Sequence, residues 1–488
     1  MKRSNIADIY KKGQDLINID RLDDALKIFI ELSILDKKSS NIQLTISQIY
    51  KKKNDLVNSK IHLRKSLKIN PNNAVALNNL GNIYVLQFDL INAEKYYLKS
   101  SDIDKKYSLP LFNLATLNQN KGNFEKAKYF YKRAIYLDNK NFEFIYQLNS
   151  LDSKAVTKLQ AKFVEEELKK KNNYSHFNKA SGYFFLAEKS KDEKNISREM
   201  ENLSKAHWHF KHADNNLKKI INYWLTIIPK IKDKVVINKK NFHIPSINPI
   251  FISGLPRSGT TLIESIITSG EKDIMNGGET GVLNKSIILL KKNELFSNDY
   301  LKNNYKIEIN FKEIEDQIIK LYKEQNLTKK IFTDKSLENI FFCDIIFELF
   351  PNAKIINCER SNFDNLVAIY QQYLPKMAWS HSIEDIIKYM ENHINLSKHF
   401  KLKYPEKIFT IKLEEITNKP EEMSKQLMNF CNLEWNAKVL DFYKRKDLNT
   451  KTASNVQIRK KIYKYDSKKF ETYRSYFVNY IKDAKINF

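Results

Sequence analysis

The sequence predicts an array of paired helices followed by an α/β domain built on a parallel sheet. Two observations carry this prediction. A period of 34 residues runs through the first 140 residues, and periods of this length are typical of helical repeats. Further along, residues 249–264 read as a short apolar strand, a loop bracketed by glycines and an amphipathic helix. Because 488 residues exceed one ordinary domain, we expect a repeat array at 1–140, further helical hairpins and a linker at 141–244, and the α/β domain at 245–488.

The composition narrows the class of protein. The chain is 42% hydrophobic and 12% aromatic, which argues against a disordered protein. Its 83 Lys+Arg and 57 Asp+Glu give a net charge of +26, which favours an anionic ligand or an acidic polypeptide as partner. Lysine is abundant throughout, however, and no basic and aromatic recognition module stands out, so we expect no nucleic-acid partner.

We expect a cytoplasmic protein without a membrane span. The longest apolar stretches, such as 220–231, are shorter than the roughly 18 residues that a spanning helix needs. The N-terminus lacks the apolar region of a signal peptide. The three cysteines, Cys343, Cys358 and Cys431, have no CxxC spacing, which predicts reduced thiols.

The helical array is indicated by residue types that recur every 34 positions. Small residues recur at Gly13, Ser47, Gly81 and Ala115. Twelve positions after each comes a second small residue, at Ala25, Ser59, Ala93 and Ala127. Four positions later comes a large residue, at Phe29, Leu63, Tyr97 and Tyr131. Small residues let paired helices approach closely, and the large residue fills the groove beside them. The pattern resembles the tetratricopeptide repeat, which implies a solenoid whose concave face docks a partner or substrate.

Between the repeats and the α/β domain the register is lost but the pattern stays helical. Residues 181–210 read as another helical hairpin, similar to a degenerate repeat. His207, His209 and His212 do not share one helix face at their spacing, so we expect no metal site there. Charged and β-branched residues with two prolines at 230–249 place the domain boundary in that stretch.

The glycine-bracketed loop predicts an anion site. Gly254 and Gly259 have the spacing of a Walker A loop, and a strand followed by a helix N-terminus surrounds one small concavity with backbone N–H groups. The Walker lysine is replaced by Thr260, and the cation is Arg257, inside the loop. The absence of that lysine favours a phosphosulfate over ATP.

GLPRSGTTL resembles the 5′-phosphosulfate loop of sulfotransferases that use 3′-phosphoadenosine 5′-phosphosulfate (PAPS). The resemblance extends over about residues 247–465. It implies a P-loop-type, parallel-sheet α/β fold with 3′,5′-adenosine diphosphate as product. It also implies that PAPS contacts a run of loop residues: Pro256, Arg257, Ser258, Gly259, Thr260 and Thr261.

Two further segments resemble the rest of the nucleotide site. AKIINCERSNFDNLVAIYQQYL (353–374) resembles the 3′-phosphate segment and supplies Arg360. The family's serine eight residues later is Ala368 here, and its proline is Asn362, which puts one side-chain contact in doubt. Residues 451–464 resemble the loop that closes over the nucleotide and imply contacts from Ser454 and Arg459. The basic residues of this loop, which could compensate for the missing serine, are Lys451, Arg459, Lys460, Lys461 and Lys464.

The base that accepts the acceptor's proton is predicted to be a carboxylate. No histidine lies between His243 and His381, although histidine is the usual base. Glu279, in IMNGGETGV, resembles the base in the GEET run of tyrosylprotein sulfotransferases, with Gly278 in place of that run's first glutamate. Lys335, in FTDKSLENI, resembles the family lysine that contacts the leaving oxygen. Together with Arg257 these residues form the predicted catalytic set, and no metal is expected.

The sequence therefore predicts a PAPS-dependent sulfotransferase that acts on a hydroxyl, with protein tyrosine favoured as acceptor. A glycan, lipid or small-molecule acceptor stays open, as does a homodimer. A first alternative is a repeat scaffold with an inactive nucleotide-binding domain, which Ala368 and Asn362 favour. A second is a small-molecule kinase, which ATP with magnesium would stabilise.

Overall fold

A computed structural model describes residues 3–170, 173–238, 247–270, 274–297, 306–445 and 454–488. The predicted boundary at residues 244 and 245 and the predicted contact residue Lys451 lie outside these ranges. The chain divides into two compact units. The first comprises residues 1–119, 123–140 and 324–326, and the second comprises 120–122, 141–323 and 327–488.

The repeat array consists of four antiparallel helix pairs. Its helices are α1 (Arg3–Asn18), α2 (Leu22–Leu35), α3 (Ser40–Lys52), α4 (Leu56–Ile69), α5 (Ala74–Leu86), α6 (Leu90–Ile103), α7 (Ser108–Lys121) and α8 (Phe124–Leu137). A Cβ on Gly13 would lie 2.6 Å from the Phe29 ring, and one on Gly81 would lie 2.6 Å from the Tyr97 ring. The predicted close approach of small and large residues is therefore present at both sites.

The turns of the array repeat with the same period. Asp20, Asn54 and Phe88 lie 34 residues apart and have positive φ angles of 59°, 61° and 57°. Each ends the first helix of a pair in a left-handed turn. The predicted helical array is confirmed.

The second unit begins with helices that pack on its own later elements. They are α9 (Phe142–Leu151), α10 (Lys158–Lys169), α11 (His176–Asp192), α12 (Ile196–Lys211), α13 (Leu217–Asn222) and α14 (Ile231–Lys234). The Tyr146 ring on α9 packs edge-on against Tyr373, with centroids 5.5 Å apart. The Tyr473 hydroxyl donates to Glu199 on α12 at 2.7 Å.

A four-stranded parallel sheet forms the centre of the second unit. Its strands are β2 (Asn248–Gly254), β4 (Ile331–Asp334), β5 (Lys354–Glu359) and β6 (Ile408–Lys412), in the order β4-β2-β5-β6. Phe251 pairs with Asp334 and with Ile355, which sets the register of the three strands at one end of the sheet. A separate parallel pair joins β1 (Val235–Asn238) to β3 (Ile307–Asn310).

Helices lie between the strands along the chain, as parallel pairing requires, and three more follow the last strand. They are α15 (Thr260–Gly270), α16 (Val282–Leu295), α17 (Phe311–Glu324), α18 (Cys343–Leu349), α19 (Asn362–Tyr370), α20 (Ile383–Lys403), α21 (Leu413–Asn418), α22 (Pro420–Phe430) and α23 (Arg474–Ile481). The predicted parallel-sheet α/β fold is confirmed. Within the described ranges no helix combines the length and the apolar character that crossing a bilayer requires.

Candidate active site

The carboxyl ends of the parallel strands bring three predicted site segments, and a fourth segment after β6, to one edge of the sheet. Strand β2 ends at Gly254, where the predicted anion loop begins, and β4 ends just before Lys335. Strand β5 ends just before Arg360, and β6 leads into Leu413, which contacts Gly259. Ligands of open α/β sheets bind at this edge, so the fold itself collects the predicted residues.

The loop between β2 and α15 is a tight backbone cradle. A Cβ on Gly254 would lie 2.6 Å from the Ser258 hydroxyl and 2.7 Å from the Cys358 carbonyl, so no side chain fits there. Gly259 has a φ of +97°, and Arg257 has a φ of 69°, which is unusual for a residue with a side chain. The Ser258 hydroxyl is buried and has no hydrogen-bond partner within the described part of the chain. The cradle thus offers a buried donor to a small polar group.

Three side chains beyond the loop hold its position. Asn365, on α19, donates to the Pro256 carbonyl at 2.7 Å. The Arg257 guanidinium donates to the Ser454 hydroxyl at 2.8 Å and to the Gln457 side-chain carbonyl at 3.0 Å. Burial, followed by the positive charge of Arg360, lowers the pKa of Arg257. The loop cation is therefore desolvated and lies near a second cation, an arrangement that favours a bound anion.

Arg360 lies between the loop and the C-terminal segment. Its guanidinium donates to the Arg257 carbonyl at 3.3 Å and to the Tyr465 hydroxyl at 3.2 Å. Tyr465 in turn donates to the carboxylate of Asp364. The Arg360 guanidinium also lies over the Phe470 ring, 5.1 Å from its centroid. These contacts fix the predicted 3′-phosphate arginine through residues about one hundred positions away, which no local sequence pattern could indicate.

A cavity of about 640 Å³ adjoins the loop within the second unit. Five residues of the predicted PAPS contact set line it: Arg257, Gly259, Thr261, Arg360 and Ser454. Three of the basic residues that could compensate for the missing serine also line it: Lys460, Lys461 and Lys464. Ala368 lines it as well, whereas Arg459 lies on the same turn as Gln457 but is not part of the lining. A further wall comes from the helices that precede the sheet, through Glu188, Lys191 and Glu199.

Glu279 and Lys335 form an ion pair. The Lys335 ammonium donates to the Glu279 carboxylate at 3.2 Å, and the lysine side chain is 0% exposed while that of the glutamate is 44% exposed. Burial would lower the pKa of Lys335, but the charges of Glu279 and then Glu264 outweigh it and raise that pKa. Lys335 is therefore held protonated, and its partner carboxylate remains open to solvent.

The segment before Glu279 lies beside β4 like a further strand. Met275 donates to the Ile331 carbonyl at 3.3 Å, and Thr333 donates to the Met275 carbonyl at 3.0 Å. A Cβ on Gly277 would lie only 2.0 Å from the Thr333 carbonyl oxygen. Glycine is required at 277 because the two backbones meet there, and this approach places Glu279 against Lys335.

Glu264 is a site residue that the sequence reasoning missed. This buried carboxylate, on the second turn of α15, accepts hydrogen bonds from the Thr333 hydroxyl at 2.8 Å and the Gly278 amide at 3.0 Å. Its second oxygen lies 3.9 Å from the Lys335 ammonium. Burial, as the largest influence, raises the pKa of Glu264. A lone carboxylate in the apolar run LIESII was the available signal.

Asp334 fixes the turn that follows Glu279. Its carboxylate accepts from the hydroxyls of Thr280, Tyr322 and Ser336, each at 2.6 Å. All four residues are buried. This network supports the backbone next to both members of the ion pair, and so fixes the positions of Glu279 and Lys335.

The described residues include no group of three or more His, Cys, Asp or Glu side chains that could hold a metal ion. Cys343, Cys358 and Cys431 are buried free thiols. Burial raises the pKa of each, and raises that of Cys431 to about 12. They are therefore kept as neutral thiols.

Two protein-family models match this chain, one in each of its two parts. Residues 249–437 match the model of the sulfotransferase family. Residues 40–73, 74–107 and 110–141 match the tetratricopeptide repeat, and α1 and α2 lie outside these matches.

Individual relatives cover only part of the chain. An Aquifex aeolicus protein named only as uncharacterised is 31% identical over 245 residues, which are 48% of this chain and 31% of that protein. The chain thus spans less than a third of that relative's length. A Caenorhabditis briggsae protein named as a candidate protein-tyrosine sulfotransferase is 24% identical over 220 residues, or 44% of this chain and 77% of that protein.

Among solved structures, the sulfotransferase domain of a Synechococcus olefin synthase is 16% identical. It aligns with 48% of this chain and 92% of that domain, with a TM-score of 0.32. The family models confirm the resemblances to the sulfotransferase family and to the tetratricopeptide repeat. The chain carries a sulfotransferase-family domain preceded by tetratricopeptide repeats.

Proposed function

We propose that the protein transfers the sulfuryl group of PAPS to an acceptor hydroxyl. The observation that carries the proposal is the Lys335–Glu279 ion pair, which lies at the same sheet edge as the anion loop. The loop fits the 5′-phosphosulfate because it presents a buried, unpartnered Ser258 hydroxyl and a desolvated Arg257. The adjoining cavity of about 640 Å³ is large enough for a nucleotide.

The side chains of the ion pair have complementary roles. Glu279, which solvent and an acceptor can reach, takes the proton of the acceptor hydroxyl. The acceptor oxygen then bonds to sulfur as the bond between sulfur and the 5′-phosphate oxygen breaks. Lys335 remains protonated and neutralises the charge that builds on that leaving oxygen, with Arg257 and the loop amides acting on the phosphosulfate. PAPS supplies the sulfuryl group and a phosphate leaving group.

We further propose protein tyrosine as the acceptor. The GGET run that carries Glu279 and the name of the Caenorhabditis briggsae relative support this choice. The tetratricopeptide repeats offer a surface for a polypeptide, and the net charge of +26 favours an acidic one. A cytoplasmic location stays a prediction of the sequence.

Nucleotide binding and turnover test the proposal separately. Thermal stabilisation by 3′,5′-adenosine diphosphate, but not by ATP with magnesium, is expected. A ligand at 100 times its Kd adds about 2.7 kcal/mol to the free energy of unfolding. Transfer of labelled sulfate from PAPS to an acidic tyrosine peptide, with the phenylalanine peptide as control, then measures turnover.

Glu279→Gln should preserve the nucleotide shift and lower transfer by about 10²–10⁴-fold, the usual contribution of a general base. Full transfer by this variant would show that Glu279 is not the base. A nucleotide shift without transfer to tyrosine, glycan or phenol acceptors would favour the scaffold alternative, which Ala368 and Asn362 support.

A further inference from the structure

We propose that Lys191, on helix α11, binds the 3′-phosphate of the nucleotide in place of the serine that Ala368 replaces. The inference rests on the proposed function, since it names a further contact in the same nucleotide site. It assigns a ligand-binding residue to the helical segment that precedes the sheet. In this arrangement the sulfotransferase-family domain does not form the whole nucleotide site by itself.

The position of the Lys191 ammonium relative to Ala368 is the first argument. The ammonium donates to the Gln371 side-chain carbonyl at 2.5 Å. Gln371 follows Ala368 by three residues at the end of α19, and residues three apart lie on the same face of a helix. Lys191, Ala368 and Gln371 all line the cavity beside the loop. The ammonium therefore lies on the helix face from which a serine at 368 would point.

The charge of this part of the cavity is the second argument. Arg257, Arg360 and Lys469 line the cavity together with Lys191. Arg360 lies 5.1 Å and the Lys469 ammonium 5.2 Å from the centroid of the same Phe470 ring. Burial, followed by the charges of Lys191, Arg360 and Arg257, lowers the pKa of Lys469. Seven Lys and Arg side chains line the cavity, these four with Lys460, Lys461 and Lys464, against four Asp and Glu side chains. This excess of positive charge attracts a dianion such as a phosphate.

Two of the four carboxylates that line the cavity, Glu199 and Glu188, have other partners; the remaining two are Asp192 and Asp466. Glu199 accepts from Tyr473 and from the Gln371 amide, each at 2.7 Å. Glu188 accepts from the Asn149 amide at 2.6 Å and the Ser150 hydroxyl at 2.8 Å, and burial raises its pKa to about 7. Lys191 itself contacts a neutral amide rather than a carboxylate. Its ammonium can therefore turn to a phosphate without breaking a direct ion pair.

The test compares two nucleotides that differ only in the 3′-phosphate. Affinities for 3′,5′-adenosine diphosphate and adenosine 5′-monophosphate are measured by calorimetry on the full chain. Lys191→Met should lower the affinity for the diphosphate by about 10- to 100-fold, the usual contribution of a charged hydrogen bond. The affinity for the monophosphate should change by less than about 3-fold. The matched control is Lys205→Gln on α12, where the side chain is 48% exposed and pairs with Glu201, and it should change neither affinity.

Two further variants keep the test decisive. Lys191→Arg retains the charge and should bind the diphosphate within a few-fold of the unaltered protein, even if the methionine variant folds poorly. Ala368→Ser in the Lys191→Met background should restore part of the lost affinity. Unchanged diphosphate affinity in Lys191→Met, or an equal loss for both nucleotides, would overturn the inference alone. Failure of the unaltered protein to bind the diphosphate would overturn the proposed function and this inference with it.

Discussion

Replacing Glu264 by alanine and by glutamine separates two contributions of this buried carboxylate to stability: the hydrogen bonds that it accepts and the charge that it carries. Alanine removes the acceptor of two donors, the half-buried Gly278 amide and the buried Thr333 hydroxyl. Each buried donor left without a partner costs about 1–3 kcal/mol. We therefore expect Glu264→Ala to lower the free energy of unfolding by about 2–6 kcal/mol, the sum of the two costs.

Glutamine keeps the oxygen that accepts both hydrogen bonds, removes the charge and places an NH2 group where the second oxygen faces Lys335. The lost attraction to the Lys335 ammonium, 3.9 Å away, is offset because a neutral amide is less costly to bury than a carboxylate. We expect the free energy of unfolding of Glu264→Gln to lie within about 1.5 kcal/mol of that of the unaltered protein.

The assay is urea unfolding followed by circular dichroism, with the midpoint and slope compared among the variants. Glu201→Ala, whose side chain is 64% exposed on α12, is the control for the loss of a glutamate and should stay within about 0.5 kcal/mol. Equal destabilisation by Glu264→Ala and Glu264→Gln would refute the reasoning, because the charge rather than the two accepted hydrogen bonds would then be the source of the stability.

Three further predictions follow from particular contacts. Gly277→Ala should destabilise the protein by more than about 3 kcal/mol or prevent folding, because its Cβ would lie 2.0 Å from a carbonyl oxygen. Gly278→Ala, with open space but a φ of +62°, should cost only about 1 kcal/mol. Urea midpoints would measure both losses of stability, and similar losses would contradict the argument. Burial lowers the pKa of His393 to about 3, below its unfolded value of about 6.5. Its contribution to the free energy of unfolding is therefore complete above pH 6.5 and falls by about 1.4 kcal/mol between pH 7.5 and 5.5. His393→Leu should flatten the pH dependence of unfolding, and exposed His399→Leu should not. Arg257→Ala should abolish stabilisation by 3′,5′-adenosine diphosphate, and a retained thermal shift would show that another group binds the 5′-phosphate. Loss of the hydrogen bonds to Ser454 and Gln457 should lower the unfolding midpoint of the free protein only slightly.

The elements that depend on local pattern could be predicted from the sequence. The 34-residue period fixed the spacing of small and large residues, and the left-handed turns at Asp20, Asn54 and Phe88 follow the same period. The strand, loop and helix around Gly254 and Gly259 were predicted in order because glycine spacing and apolar runs are visible in the sequence.

Contacts between distant segments could not be predicted in this way. Glu264 contacts Gly278 and Thr333 only because the segment before Glu279 lies alongside β4, which depends on backbone packing. Likewise, Lys191 reaches the cavity because α11 packs on the same unit as the sheet. A helical lysine in a basic chain gives no local sign of that position.

The segment before Glu279 also protects the sheet from other chains. Strand β4 lies at the outer edge of the four-stranded sheet, where unpaired backbone groups would invite a strand from another molecule. The hydrogen bonds of Met275 to Ile331 and Thr333 on β4, and that of the Gly278 carbonyl to the Lys335 amide just beyond it, occupy that edge. Release of this segment would expose the edge at the same time as it displaced the proposed base. Loss of turnover and a tendency to aggregate should therefore appear together in variants that detach it.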